Sequence, residues 1–129
     1  MPPGVSLTQL GAFQRGQLWV QDAGSALVVQ YAHVPRGHVA ADLCAAPGGK
    51  TLALLQAGAR VIASDRSAAR LQRLHANLER MHATDVDVRE MDATQPTLEP
   101  VDAILVDVPC TGTGTFPPPS RRTLAPARE

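Results

Sequence analysis

The strongest constraint on this chain is the alternation of short apolar runs with helical segments that begins at residue 39. Residues 39–44, 60–65, 85–92 and 101–110 have the composition of strands, and helix-like segments follow the first two. The run "VDAILVDVPC" is nearly continuously apolar, as in a strand covered on both faces. Strands that alternate with helices predict a parallel, doubly wound α/β sheet.

Three helices are predicted around these strands. One lies within residues 18–34, where it should be amphipathic, and a second covers 51–58 and ends at Gly58. In the third, over residues 66–83, Ser67 is placed to cap the start. Its apolar residues recur at helical spacing and should pack on the sheet: Leu71, Leu74, Leu78 and Met81. Its arginines should mostly face solvent: Arg66, Arg70, Arg73 and Arg80.

The length of 129 residues fits one domain. We place the structured unit at residues 17–116, preceded by a leader or linker over 1–16. Residues 117–129 begin with three prolines, which fix φ and remove hydrogen-bond donors, so we expect an irregular tail there.

Composition and sequence pattern argue against several classes of protein. Twelve basic residues balance twelve acidic ones, so no overall basic field indicates nucleic acid, which weakens an RNA-binding reading without excluding it. No apolar run is long enough to cross a bilayer, and no signal peptide is recognisable, so we expect a cytoplasmic protein. Neither the two cysteines nor the four histidines show metal-ligand spacing, so we expect free thiols and no metal.

The stretch "DLCAAPGGKT", residues 42–51, is the first candidate ligand loop. It ends like a Walker A motif, but that motif requires glycine where this chain has Cys44. The dinucleotide pattern G-x-G-x-x-G is also absent. A more general site remains: glycines let the backbone approach a ligand at the end of the first strand, and Thr51 opens a helix there.

Aspartates follow the other three predicted strands. Asp65 ends the second strand, from which an acid can bind ribose hydroxyls; Asp92 follows the third strand, and Asp107 ends the fourth. Each has an ordinary alternative, because glycines also make turns and Asp65 could help to cap the helix at Ser67. Their joint position at one edge of the sheet favours a binding crevice.

The motifs "DLCAAPGGKT", "ASD", "MDAT" and "DVPCTGTGT", in this order, closely resemble the RNA (cytosine-5)-methyltransferases of the Sun/Fmu family, particularly the bacterial 16S ribosomal RNA enzymes. The resemblance spans about residues 17–116 and includes "VQDAGSALVV". It implies a Rossmann-like S-adenosylmethionine-dependent methyltransferase fold, incomplete here, with the first four strands of a mostly parallel sheet.

The resemblance also implies S-adenosylmethionine as cofactor and RNA, expected to be 16S ribosomal RNA, as partner. Asp65 would hold the ribose hydroxyls, Asp92 would lie near the adenine, and Asp107 would contact the cofactor's amino group or the target base. Cys110 and Asp107 are the candidate catalytic residues. The loop residues would line the methionine and ribose region: Cys44, Ala45, Ala46, Pro47, Gly48, Gly49 and Lys50.

Enzymes of this family add a thiolate to carbon 6 of cytosine, from a cysteine in a later motif, while the Pro-Cys cysteine, here Cys110, is implicated in product release. No cysteine follows Cys110. We therefore expect a truncated or frameshifted fragment, in which residues 101–108 form an exposed apolar edge. The alternatives are that Cys110 is the nucleophile, as in DNA cytosine methyltransferases, or is an ordinary buried thiol, and that the chain is a non-catalytic cofactor-binding module. Cys44 is interpreted as structural.

Overall fold

A computed structural model describes residues 6–108, and within them a four-stranded parallel sheet forms in the order β3-β2-β1-β4. The central strands β1 and β2 pair in register from Val39 opposite Arg60 to Asp42 opposite Ala63. The strands are β1 (Val39–Asp42), β2 (Arg60–Asp65), β3 (Val86–Glu90) and β4 (Ala103–Leu105). The predicted parallel α/β sheet is confirmed.

The helices of the described part are a 3-10 turn (Leu7–Gln9), α1 (Gly11–Gln14), α2 (Ala23–Ala32), α3 (Gly49–Ala57) and α4 (Ala68–Arg80). α3 starts two residues before the predicted Thr51 and ends at Gly58, whose φ of 93° supplies the left-handed cap. Across residues 6–108, none of these helices has the length and apolar character that a bilayer crossing requires.

The core forms on both faces of the sheet because successive strand residues point to opposite sides. One face is covered by helices and contains these buried residues: Ala40, Leu52, Leu54, Val61, Ala63, Leu71, Leu74 and Leu78. On the other face, Ala41, Leu43 and Ile62 pack against the connection between β3 and β4 through Met91, Ala93, Leu98 and Val101. The helices and this connection therefore hold the carboxyl ends of the strands in place.

α4 follows the sequence prediction in its apolar side and its cap, and in two of the four arginines. Leu71, Leu74 and Leu78 are buried, and the Ser67 side chain accepts a hydrogen bond from the backbone N–H of Arg70. Arg66 and Arg73 are exposed. The expectation that the arginines face solvent is wrong for Arg70 and Arg80, which donate hydrogen bonds to backbone carbonyls of other segments.

α2 forms as predicted, but it is not amphipathic. Asp22 caps it by accepting a hydrogen bond from Ser25 N–H at 3.2 Å. Its buried residue is Val29, whereas Leu27 and Tyr31, on the opposite side of the helix, are 62% and 93% exposed. Apolar residues occur all round this helix, so periodicity could not define its buried face.

β4 is shorter than the predicted strand, and within the described residues it pairs with β1 alone. The expectation of a strand covered on both faces is wrong, because Ile104, Val106 and Val108 are 56%, 50% and 61% exposed. The β3–β4 connection covers β1 and β2 on that face but does not cover these three side chains. Within residues 6–108, the expectation of an exposed apolar edge is confirmed.

Candidate functional site

The loop between β1 and α3 is shaped by Gly48. Its φ of 111° belongs to the left-handed region that favours glycine, and a Cβ there would lie 2.8 Å from Leu74 Cδ1 of α4. Gly49, by contrast, opens α3 with its closest neighbours at ordinary contact distance. The loop therefore lies directly on α4, with a cis peptide bond between Ala46 and Pro47.

Two side chains of α4 hold the carbonyl groups of this loop. Arg70 Nη2 donates to Ala46 O at 2.8 Å, and Asn77 Nδ2 donates to Pro47 O at 2.9 Å. The backbone N–H groups in the first turn of α3 have no intrahelical acceptors and carry the positive end of the helix dipole. The loop thus keeps its carbonyls bound to α4 and presents a helix N-terminus to a ligand.

Asp65 ends β2 and is buried, with 2% of the residue exposed. Its Oδ1 accepts a hydrogen bond from Ser67 N–H at 3.1 Å. The alternative role of Asp65, in helping Ser67 to cap the helix, is therefore confirmed. Its Oδ2 lies 3.3 Å from Arg70 Nη2 but has no hydrogen-bond partner among the described residues. Asp65 therefore supports the N-cap residue of α4 with one oxygen, and its other oxygen has an unused capacity to accept among the described residues.

A cavity of about 230 Å³ adjoins Asp65 and also contacts Cys44, Asp92 and Thr94. Asp92 is exposed, and its Oδ1 accepts hydrogen bonds from Thr94 N–H and Thr94 Oγ1, each at 2.8 Å. The hydrogen bond from Thr94 N–H, and to a smaller extent the one from the Thr94 hydroxyl, lowers the pKa of the Asp92 carboxyl. The group therefore stays ionised. The structure thus brings Asp65 and Asp92 to one cavity, as their strand-end positions predicted.

A larger cavity of about 380 Å³ also adjoins the loop and is bordered by Lys50 and Asp107. Lys50 Nζ lies 2.6 Å from Asp107 Oδ2 and donates to Ser25 Oγ at 3.0 Å. Cys44 borders both cavities, so they meet at the loop. The predicted residues therefore surround two adjoining spaces.

Asp42 is a site residue that sequence reasoning missed. It is 1% exposed and borders the larger cavity; its Oδ2 accepts from Thr51 Oγ1 at 2.8 Å, and its Oδ1 has no partner among the described residues. Burial is the main cause that raises the pKa of Asp42, and the Thr51 hydroxyl opposes it. A carboxylate at the end of an apolar strand, directly before the glycine loop, was the available signal.

The structure describes Cys44 but not Cys110. Burial, and then the charge of Asp65, raises the pKa of the Cys44 thiol, so Cys44 is a poor nucleophile at neutral pH. Cys110 lies outside the described residues, as do the rest of its motif from residue 109 onward and the tail over residues 117–129. Within residues 6–108, no group of three His, Cys, Asp or Glu residues is arranged to hold a metal ion.

Part of the segment predicted as a leader over residues 1–16, together with the residues directly after it, forms a wall of the larger cavity. Arg80 Nη1 donates to Phe13 O at 2.8 Å and to Leu18 O at 3.0 Å, and its guanidinium lies 3.8 Å from the centre of the Phe13 ring. Leu7, Phe13 and Trp19 border the cavity together with Arg80. α4 thus positions this segment as well as the loop.

A glycine loop after β1, a buried carboxylate at the end of β2 and polar groups after β3 and β4 define the class of Rossmann-like methyltransferases. Solved structures agree. NSun6 from Pyrococcus horikoshii with SFG superposes with a TM-score of 0.77 at 34% identity, covering 84% of this chain and 29% of that chain. A methyltransferase homolog from the same organism gives 0.71 at 30% identity, covering 86% and 38%. An O-methyltransferase from Thermotoga maritima, at 22% identity and a TM-score of 0.63, shares the fold; the match covers 70% of this chain and 36% of that chain.

The chain belongs to the family described as 16S rRNA methyltransferase RsmB/F, whose model matches residues 32–122. Ribosomal RNA small subunit methyltransferase B of Pasteurella multocida is 39% identical over 123 residues, which are 87% of this chain and 27% of that protein. A tRNA (cytosine(72)-C(5))-methyltransferase of Pyrococcus horikoshii is 36% identical over 117 residues, 87% of this chain and 30% of that protein. The predicted family and fold are confirmed, and the chain spans less than a third of these relatives.

Proposed function

We propose that this chain carries the cofactor-binding part of an enzyme that transfers a methyl group from S-adenosylmethionine to carbon 5 of cytosine in RNA. One observation carries the proposal. Two buried carboxylates, Asp42 and Asp65, flank the glycine loop, and each has one oxygen without a hydrogen-bond partner among the described residues. Buried polar atoms are normally satisfied, so such a pair calls for a ligand with donors at two points.

S-adenosylmethionine fits this pair, because it has ribose hydroxyls at one end and an ammonium group at the other. Asp65 Oδ2 can accept from the hydroxyls, and Asp92 borders the same smaller cavity. Asp42 Oδ1 can accept from the ammonium group in the larger cavity, beside the first turn of α3. When bound, the cofactor supplies a methyl group activated by its positively charged sulfur.

Lys50 and Asp107 are placed to recognise the target base. Cytosine has acceptors at O2 and N3 and a donor at N4, and the two side chains offer a donor and an acceptor 2.6 Å apart. A base can reach such a site only when it is unstacked, as in single-stranded RNA. We propose 16S ribosomal RNA as the substrate and the cytoplasm as the location; the family description and the relative from Pasteurella multocida support the substrate.

Methyl transfer is tested with the purified full chain, labelled S-adenosylmethionine, and transcripts of 16S ribosomal RNA and tRNA. We expect S-adenosylmethionine to bind to the chain. We expect 5-methylcytosine in the 16S transcript, detected by mass spectrometry of nucleosides and lost in Asp107→Asn, only if the chain itself supplies the thiolate, which is the alternative in which Cys110 is the nucleophile. Modification of tRNA alone would replace the proposed substrate. Cofactor binding without transfer would agree with a cofactor-binding part that acts together with the cysteine of the later motif, and would exclude Cys110 as a sufficient nucleophile. Absence of cofactor binding would contradict the proposal.

The role of Cys110 needs a separate experiment. The family resemblance assigns it to product release, and the alternative makes it the nucleophile. RNA that contains 5-fluorocytosine traps the covalent complex, because the fluorine that replaces the hydrogen on carbon 5 cannot be removed by a base and the thiolate is therefore not released. A complex that survives Cys110→Ala would exclude Cys110 as the nucleophile, and its loss would support that alternative.

A further inference from the structure

Arg70 connects the two halves of the candidate cofactor site. Its Nη2 donates to Ala46 O of the glycine loop at 2.8 Å and lies 3.3 Å from Asp65 Oδ2 at the end of β2. The loop follows β1, so one guanidinium nitrogen joins features that belong to two different strand ends. Arg70 lies in the first turn of α4, and its side chain is 37% exposed.

Around Asp65, the group that offsets the negative charge is not the group that donates a hydrogen bond to the carboxylate. Ser67 N–H fixes Oδ1, and Arg70 lies close enough to Oδ2 to offset its charge. The Arg70–Oδ2 contact does not form a hydrogen bond, and Oδ2 has no other partner among the described residues. A buried carboxylate without a nearby cation is costly. Arg70 therefore compensates the charge of Asp65 and leaves the accepting capacity of Oδ2 for a ligand.

We propose that Arg70 is a positioning residue of the cofactor site, one that sets Asp65 at a fixed distance from the glycine loop. The inference deepens the proposed function and rests on it. Arginine suits this role because its guanidinium is planar and rigid, so the N–H groups on Nη2 have fixed directions, whereas the ammonium group of lysine is a compact point charge on a flexible stem. Arg70→Lys should therefore keep the charge and lose most of the alignment.

The test is calorimetric titration of the full chain with S-adenosylhomocysteine, which retains the ribose and the amino-acid end of the cofactor. We expect Arg70→Ala to weaken binding by about 10-fold to 100-fold, as for loss of a hydrogen bond that involves a charged group, and Arg70→Lys to recover little of it. Arg73→Ala is the matched control, since Arg73 lies on the same helix and is exposed. Thermal midpoints of all variants are measured in parallel.

The same Arg70→Ala change in an Asp65→Asn background distinguishes positioning from general support of the fold. We expect a further loss of about threefold or less there, because interactions that act through a shared partner are not additive. Equal losses in both backgrounds, or unchanged binding by Arg70→Ala, would overturn the role of Arg70 and leave the proposed function intact. Absence of binding by the unsubstituted chain would overturn both.

Discussion

Lys50 Nζ and Asp107 Oδ2 lie 2.6 Å apart, although 57 positions separate the two residues in sequence. Lys50 comes from the first turn of α3, and Asp107 follows β4. Ser25 of α2 accepts a further hydrogen bond from the same ammonium group at 3.0 Å. Three segments thus meet at one positive charge beside the larger cavity, where we place the target base.

We expect this ion pair to contribute little to folding, because the Asp107 side chain is 58% exposed and water screens it. A double-mutant cycle with Lys50→Met and Asp107→Asn, measured by urea unfolding, should give a coupling below about 1 kcal/mol that falls as salt is added. A coupling above about 2 kcal/mol, insensitive to salt, would show that the pair stabilises the fold rather than serving the site.

Gly48→Ala should destabilise the chain through two separate causes. Its φ of 111° is strained for alanine, and the new Cβ would lie 2.8 Å from the buried side chain of Leu74. We expect a loss of about 2–4 kcal/mol in the free energy of unfolding, measured by urea denaturation.

Gly37→Ala is the control for Gly48→Ala. Gly37 has a φ of 81°, but a Cβ there would meet nothing within 4 Å. It should cost only the backbone strain, about 1 kcal/mol. Equal losses at the two glycines would show that the contact between the loop and Leu74 is unimportant.

Asp42→Asn should stabilise the protein and weaken cofactor binding. Because burial raises the pKa of Asp42, the native state binds a proton that the unfolded chain has released between the ordinary pKa and the raised one. Stability therefore falls as pH rises through that window, and the penalty is fully present above it. Asparagine removes the charge and can still accept from Thr51.

Thermal midpoints and calorimetry at several pH values test this expectation. The midpoint of Asp42→Asn should exceed that of the unsubstituted chain at pH 7, and the difference should shrink as pH falls through that window and be absent below the ordinary pKa of about 4. Affinity for S-adenosylmethionine at pH 7 should drop by about tenfold or more. A lower midpoint at pH 7 would contradict the destabilising effect of the buried charge, and unchanged affinity would remove Asp42 from the site.

Cys44 should alkylate slowly. Its thiol pKa is raised by burial and by Asp65, so the reactive thiolate is scarce near pH 8 compared with a free cysteine of pKa about 8.5. We expect its reaction with iodoacetamide, followed by mass spectrometry in a Cys110→Ser background, to be slower than that of glutathione. A rate equal to or above that of glutathione would contradict the structural interpretation of Cys44.

Sequence alone predicted the features that depend on local pattern. The strands β1 and β2, the cap at Ser67, the end of α3 at Gly58 and the glycine loop all follow from hydrophobic periodicity and from the special conformations of glycine. Asp65 and Asp92 could be placed together because parallel strands end at one edge of a sheet.

Other features could not be predicted because they depend on tertiary contacts. Arg70 and Arg80 have the spacing of a solvated helix face, and only the packing of the loop and the N-terminal segment gives them carbonyl partners. Asp42 is inconspicuous in an apolar run until its burial is known. The exposure of Ile104 follows from the extent of the β3–β4 connection, which composition does not specify.

The most direct test of the account is calorimetric titration of the full chain with S-adenosylmethionine, beside Asp65→Ala as control. We predict binding at one site, weakened by about tenfold or more in Asp65→Ala, because the substitution removes the buried acceptor for the ribose hydroxyls. Absence of heat from the unsubstituted chain, or equal affinity in the two proteins, would contradict the assignment of this crevice to the cofactor.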